Sequence, residues 1–172
     1  YRNVARDLLG DDVLVPGSNA LEPDYKSGRL VAVSNALTTI SARGVEQYEA
    51  AAYLLAEQAM GEEARRETLV TCEPQATVDD ACAREFIETF GRRLWRRTLI
   101  EEEVAPLVTV AANAAEVHED FYKGLEYPLA ALLQSPSFLF RVDLGEDDPD
   151  NPGGRRFTSV EMASRLSFLL WN

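Results

Sequence analysis

Apolar residues recur every three or four positions along most of this chain, which is the spacing of one face of an α-helix. The clearest case lies between residues 83 and 94, where the apolar positions are Ala83, Phe86, Ile87, Phe90 and Leu94. Similar periodicity occurs over residues 1–9, 45–55, 104–111, 121–133 and 160–170. Because amphipathic segments of this kind bury one face against one another, the sequence predicts an all-α fold.

Capping residues and breakers predict where the first long helix begins and ends. Ser41 can cap a helix that runs to about Met60, and Gly61 ends it. The apolar stripe of this helix is predicted to contain Val45, Tyr48, Ala52 and Leu55.

A second long helix is predicted over residues 78–97. Thr77 and Asp80 have the spacing of a capping box, with an acid three positions after a hydroxyl residue. Gly91 lies inside this helix, where it costs about 1 kcal/mol relative to alanine, and it indicates close packing or a bend.

The acidic run Glu101–Glu103 predicts the start of the next helix, because acids suit the positive end of a helix dipole. A further helix is predicted from about Val117 to Gln134, with a kink or break at Pro128. Residues 138–144 are predicted to be short and extended or turn-like.

These boundaries predict two small helical modules and the N-terminal helix of a third, truncated domain. The first module covers residues 1–61, and the second covers residues 77–144, after a linker at 62–76 that contains Cys72. An acidic Gly/Pro linker is predicted at 145–156, where GEDDPDNPGG offers nothing to bury. Residues 157–172 then begin the third domain with a capping box at Thr158–Glu161, and both chain ends are expected to be cut from a larger protein.

Charge and hydropathy exclude several classes of partner. The 172 residues carry a formal net charge of -12, which repels phosphate backbones and anionic membrane surfaces, so nucleic acid is not an expected partner. The longest apolar runs, at 129–133 and 166–171, are far shorter than the roughly 20 residues of a membrane-spanning helix. No transmembrane segment is therefore predicted.

The two cysteines, Cys72 and Cys82, leave three alternatives. A disulfide is favoured for a close pair between a loop and a helix, and it would place the protein outside the cytoplasm. Two buried free thiols are the second alternative. A metal site is the third and is disfavoured, because zinc needs about four nitrogen or sulfur ligands and His118 is the sole histidine.

The ligand-binding candidates are four arginines, at Arg92, Arg93, Arg96 and Arg97, together with Trp95. Paired guanidinium groups can hold a carboxylate, phosphate or sulfated sugar through bidentate bonds. The alternative, which is favoured, is that these cations complement a helix C-terminus and pair with the acids that follow. Trp95 is either an exposed stacking platform or a partly buried helix residue whose N–H is satisfied.

His118 stands beside Glu119 and Asp120, but adjacent helical residues do not face one another. It is predicted to be an exposed residue at the start of a helix. The acidic run 146–150 lacks the ligand pattern of a calcium loop, and no catalytic residue or metal ligand is predicted. The sequence also lacks a C-x-x-C-H motif, so no haem or other cofactor is expected in this segment itself.

Five segments together resemble one group of proteins. They are YRNVARDLLG at 1–10, VEQYEAAAYLLA at 45–56, FGRRLWRRTLIEEE at 90–103, LLQSPSFLFRVDLG at 132–145 and FTSVEMASRLSFLLWN at 157–172. They are similar to the consecutive domains of unknown function in large secreted proteins that accompany planctomycete-type cytochrome c domains. The segment around Cys72 and Cys82 resembles a cysteine pair common at this point. The chain departs from the pattern at Thr98, where proline is usual, and at Ile100, where a hydroxyl N-cap is usual.

The resemblance implies an extracytoplasmic protein, whether periplasmic, secreted or surface-anchored. It implies other domains of the same chain as partners, a c-type cytochrome domain among them, and haem elsewhere in the parent protein. The expected function is therefore a helical binding or structural module of a redox-associated multidomain protein. The alternative is part of a secreted enzyme, oxidative or hydrolytic and with polysaccharide as a candidate substrate, whose active site lies mainly outside this segment.

Overall fold

The structure is a computed structural model that describes residues 1–17, 20–22, 39–140 and 145–170. Within these ranges it contains eight helices and one small hairpin. The helices are α1 (Arg2–Leu9), α2 (Ala42–Gly61), α3 (Glu63–Leu69), α4 (Asp80–Trp95), α5 (Glu101–His118), α6 (Phe121–Gln134), α7 (Pro136–Leu139) and α8 (Ser159–Leu170). Strands β1 (Glu146–Asp147) and β2 (Arg155–Arg156) pair antiparallel. The predicted all-α fold is confirmed.

Helix α6 lies at the centre of the bundle and packs against α2, α4 and α5. Leu125, Leu129, Leu132 and Leu133 are fully buried, and their spacing places them around much of the helix. A helix that is apolar on several sides must be covered on several sides, which explains why three long helices surround this one.

The backbones of α5 and α6 approach each other closely at Gly124. Gly124 of α6 is buried, and a Cβ atom added to it would lie 2.6 Å from Ala115 Cβ and 2.7 Å from the Ala111 carbonyl oxygen. Only glycine fits this position without displacing α5. Small residues on both helices therefore allow the contact.

The buried face predicted for α4 is confirmed. Phe86 and Phe90 are almost completely buried and stack with ring centroids 5.6 Å apart. Gly91 is also buried, and a Cβ atom there would lie 3.0–3.4 Å from side-chain atoms of Leu99 and Leu132. The glycine therefore marks close packing, one of the two alternatives that the sequence left open.

Some helix starts differ from prediction. Helix α4 is capped by Asp79, whose Oδ1 accepts a hydrogen bond from Cys82 N at 3.0 Å, so the cap predicted at Thr77 is wrong. The helix predicted from Val117 instead begins at Phe121. Its cap is Asp120, whose Oδ1 accepts from two backbone N–H groups of the first turn. In both cases a carboxylate close to the first turn satisfies donors that the predicted cap does not.

Two other caps are confirmed. Ser41 Oγ accepts from Gly44 N at 3.0 Å at the start of α2. Thr158 and Glu161 form a reciprocal capping box at the start of α8. In the stripe predicted for α2, however, Val45 is exposed, because its position falls at the edge of the face that carries Leu55.

Three segments contain more regular structure than predicted. The polar stretch 62–76 includes helix α3, which leads into the buried residues Leu69 and Val70. Phe138 and Leu139 are helical in α7, where Ser135 caps the turn. The acidic stretch 145–156 forms the hairpin of β1 and β2, because its acids and arginines stand opposite one another. Helix α6 continues through Pro128, so the alternative of a break there is wrong.

The buried side chains of both predicted modules form one cluster. It runs from Ala5 in α1 to Phe138 in α7, and Tyr1 packs with both Tyr48 and Phe138. The modular division stays a prediction about independent folding. The predictions for residues 141–144, and for residues 171–172 at the end of the third domain, lie outside the described residues.

None of the helices in the described ranges has the length and hydropathy to span a membrane.

Truncating the buried face of α4 tests the assignment of the core. We expect Phe90→Ala and Leu94→Ala each to lower the free energy of unfolding by about 2–5 kcal/mol, because each leaves a cavity in the core. Leu54→Ala is the matched control, since Leu54 is substantially exposed on α2. Chemical denaturation measures the free energy of unfolding of the three variants. Equal stability of Leu94→Ala and Leu54→Ala would contradict the assignment.

Candidate functional site

Cys72 and Cys82 form a disulfide, with Cα atoms 5.6 Å apart. Cys82 is buried in the first turn of α4, and Cys72 is half-buried in the segment after α3. Asp79 reinforces this loop, because its carboxylate accepts hydrogen bonds from Cys82 N and Gln75 N, and these bonds hold its pKa below the usual range. The loop is therefore tied at the same point by a covalent bond and by a cap.

Removing the disulfide is expected to destabilise the protein through the unfolded state. Cys72→Ser combined with Cys82→Ser opens a short loop, and we expect a loss of about 2–3 kcal/mol in the free energy of unfolding. Thermal unfolding of the oxidised wild type, the reduced wild type and the double variant measures it. Reduction that leaves the melting temperature of the wild type unchanged would contradict the prediction.

The four candidate arginines have different surroundings. Arg92 and Arg93 are exposed on the last turns of α4. Arg96 follows with φ 56°, a left-handed conformation that ends the helix, and its guanidinium lies 3.4 Å from the Phe138 carbonyl oxygen. The chain changes direction at Arg96, and Arg97 consequently points to the next helix. Binding of an anion by these residues stays a prediction.

Arg97 forms a two-pronged ion pair with Glu103 in the first turn of α5, with N–O distances of 2.6 and 2.8 Å. Glu103 also accepts a hydrogen bond from Ile100 N at 3.0 Å. This bond is one of the two of a capping box, and it needs no hydroxyl at position 100. The bonds from Arg97, supported by Ile100 N, lower the pKa of Glu103. Arg97 and Glu103 thus fix the turn between α4 and α5.

Trp95 is half-buried beside this turn. Its Nε1–H donates to the Leu132 carbonyl oxygen at 3.2 Å, and Arg97 lies 5.1 Å from the centroid of its ring. The indole N–H and one face of the ring therefore both have partners within the protein.

A second bridge connects α4 and α5 and was not singled out from the sequence. Arg84 contacts both carboxylate oxygens of Glu101, at 2.7 and 3.0 Å. Hydrogen bonding to Arg84 lowers the pKa of Glu101. The separation of 17 residues explains why helical spacing alone gives no signal for this pair.

His118 is exposed, as predicted, but it lies at the C-terminal end of α5 rather than at a helix start. Its Nε2 lies 2.8 Å from the Tyr127 hydroxyl, and the two rings have centroids 5.6 Å apart. Tyr53 of α2 meets Tyr127 edge to face at 6.1 Å. We call Tyr53, His118 and Tyr127 the aromatic cluster. The sequence did not predict it, because its rings come from three helices whose packing brings them together.

Two carboxylates of the acidic hairpin pair with its arginines. Glu146 pairs with Arg156 at 2.8 Å, and Asp147 lies 3.3 Å from Arg155. No group of three or more possible metal ligands lies close together within the residues that the structure describes.

Residues 82–143 match the model of a protein family of unknown function, PSD5 (DUF1595). The match begins at the second cysteine of the disulfide, inside α4, and covers the rest of that helix and helices α5 to α7. No curated protein and no solved structure matches the chain.

The lowered pKa of Glu103 predicts a pH dependence of stability. The pair with Arg97 stabilises the fold at pH values above the ordinary glutamate pKa, and this contribution is lost as pH falls through the lowered pKa of the folded state. We therefore expect Glu103→Gln to be less stable than wild type at neutral pH, by no more than about 1 kcal/mol because the pair is partly exposed. The difference should shrink in acid.

Urea denaturation across an acidic-to-neutral pH series measures this difference. Glu116→Gln is the control, since Glu116 is an exposed carboxylate on the same helix. An equal pH dependence of the two variants would show that the bridge to Arg97 contributes nothing.

Proposed function

We propose that this chain is a binding or structural module of a larger extracytoplasmic protein. Its match to a family of unknown function supports the description as a domain, without a substrate or activity. The observation that carries the proposal is the exposed apolar face of α8.

Met162, Leu166 and Leu170 are spaced four residues apart and form a stripe along α8, with exposed fractions of 44%, 49% and 67%. We call these three residues the α8 stripe. Within the described residues, α8 and the hairpin make only sparse contacts with α1–α7. An exposed apolar stripe of this length favours burial against another protein surface.

Glu161 and Arg165, which lie away from the stripe, have contacts within the same segment, whereas the stripe is exposed. Glu161 accepts hydrogen bonds from Gly145 N and Thr158 N, each at 2.8 Å, and so joins the helix to the start of the hairpin. Arg165 lies over the ring of Phe157 at 4.4 Å. We propose that the partner is another domain of the same protein, in line with the consecutive domains of the proteins that the sequence resembles.

The disulfide supports an extracytoplasmic location, because cytoplasmic thiols are kept reduced. A periplasmic, secreted or surface-anchored protein would each satisfy this condition. The proposed association with a c-type cytochrome domain, and with haem in the parent protein, rests on the sequence resemblance described above.

The test compares this chain with the full-length parent protein, both purified from an oxidising compartment. Hydrogen exchange of the amides in α8 should be fast in the chain alone and slow in the parent, because docking of the stripe protects the helix. Leu166→Glu in the parent should restore fast exchange, whereas the conservative variant Leu166→Met should not. Equally fast exchange in both proteins would refute docking of the stripe.

The visible absorption spectrum of the same parent protein tests the redox association. A haem band that responds to reductant supports an electron-transfer protein. A featureless spectrum removes the redox association and leaves a cofactor-free binding or hydrolytic role for the parent, to be assayed on polymers.

A further inference from the structure

The aromatic cluster forms an exposed surface feature that the core does not require. The bundle interior is filled by fully buried side chains of α6 such as Leu125 and Leu129. Tyr53, by contrast, has an exposed fraction of 44%, and His118 is also exposed. Large aromatic side chains at a surface are characteristic of binding sites.

The rings hold one another in place without a ligand. Tyr127 is fixed on one side by His118, through the 2.8 Å hydrogen bond and a near-parallel contact of 29°. On the other side it meets Tyr53 at an interplanar angle of 79°. Because the three backbones belong to packed helices, little conformational entropy remains to be lost when a ligand binds.

The surroundings of the cluster are acidic. Glu49 and Glu57 lie one helical turn on either side of Tyr53 along α2, and both are exposed. The nearby cation is Lys123, whose Nζ lies 2.9 Å from Glu126 Oε1. The pKa of Lys123 is raised by this hydrogen bond and by the charges of Glu126, Glu57 and Asp120. Around the cluster the carboxylates therefore outnumber this lysine.

We propose that the aromatic cluster binds an arginine side chain presented by a partner protein. A guanidinium group can lie flat on the exposed tyrosine ring and donate hydrogen bonds to Glu49 or Glu57 at the same time. The net charge of -12 on the chain attracts a basic partner over a longer range. The site shares no residue with the α8 stripe, so this proposal does not depend on docking of the stripe.

A pair of synthetic peptides tests the chemistry. The probe is a blocked peptide of alternating glycine and arginine, and its control replaces arginine with citrulline, which has the same shape but no charge. At low salt, we expect the arginine peptide to bind to the full chain at least about ten-fold more tightly than the citrulline peptide. Added salt should weaken the binding of the arginine peptide. Calorimetry gives the affinities, and nuclear magnetic resonance of the tyrosine rings locates the contact.

Variants on α2 separate the site from general attraction to an acidic protein. Tyr53→Ala should weaken the arginine peptide by about five-fold, the value of a partly exposed cation–π contact, while Tyr53→Phe should retain the affinity. Leu54→Ala is the matched control, since Leu54 is the exposed neighbour on the same helix. Circular dichroism confirms that each variant is folded.

Two results would overturn the proposal. If Tyr53→Ala and wild type bind the arginine peptide equally, the attraction belongs to the acidic surface as a whole. If a neutral oligosaccharide binds, independently of salt and only when Tyr53 is intact, while the arginine and citrulline peptides bind alike, the cluster is a sugar-binding platform instead.

Discussion

The close contact of α5 with α6 at Gly124 is the constraint on which the bundle depends. It places the small face of α5, with Ala111 and Ala115, directly against the central helix. The other sides of α6 carry leucines, which α2 and α4 cover. Packing around α6 fixes the ends of the long helices. The segments between these helices are then constrained, because each must connect two fixed ends. The Arg97–Glu103 pair then fixes the connection between α4 and α5.

Helical periodicity predicted the fold class and the buried face of α4, because side-chain burial repeats with the backbone over several turns. It did not predict the short helices α3 and α7, whose few residues span too little of the repeat to show it. The caps at Asp79 and Asp120 were missed for a related reason. Several capping residues stand close together before each helix, and tertiary packing decides which of them meets the first turn.

The sequence anticipated pairing of the arginines with the acids that follow them, as Arg97 and Glu103 do, but it did not anticipate the contacts between more distant helices. The sequence drew attention to the arginines near Trp95, since like charges that are close in sequence are easy to see. In the structure Arg97 and Trp95 have partners in α5 and α6 that are up to 37 residues away. The aromatic cluster, in turn, gave no sequence signal, because Tyr53 and Tyr127 meet only when α2 packs against α6. Sites built across helices therefore require the packing before they can be recognised.

The two proposed binding surfaces differ in a way that bears on how each is used. The α8 stripe is aliphatic, so leaving it in water costs free energy, and such a surface suits a partner that stays bound, as a neighbouring domain does. The aromatic cluster carries two phenol hydroxyls, an imidazole and adjacent carboxylates that water solvates well. A surface of that kind is stable when empty, which suits a partner that arrives and leaves. The disulfide holds the start of α4 in both situations, so release of such a partner leaves the bundle intact.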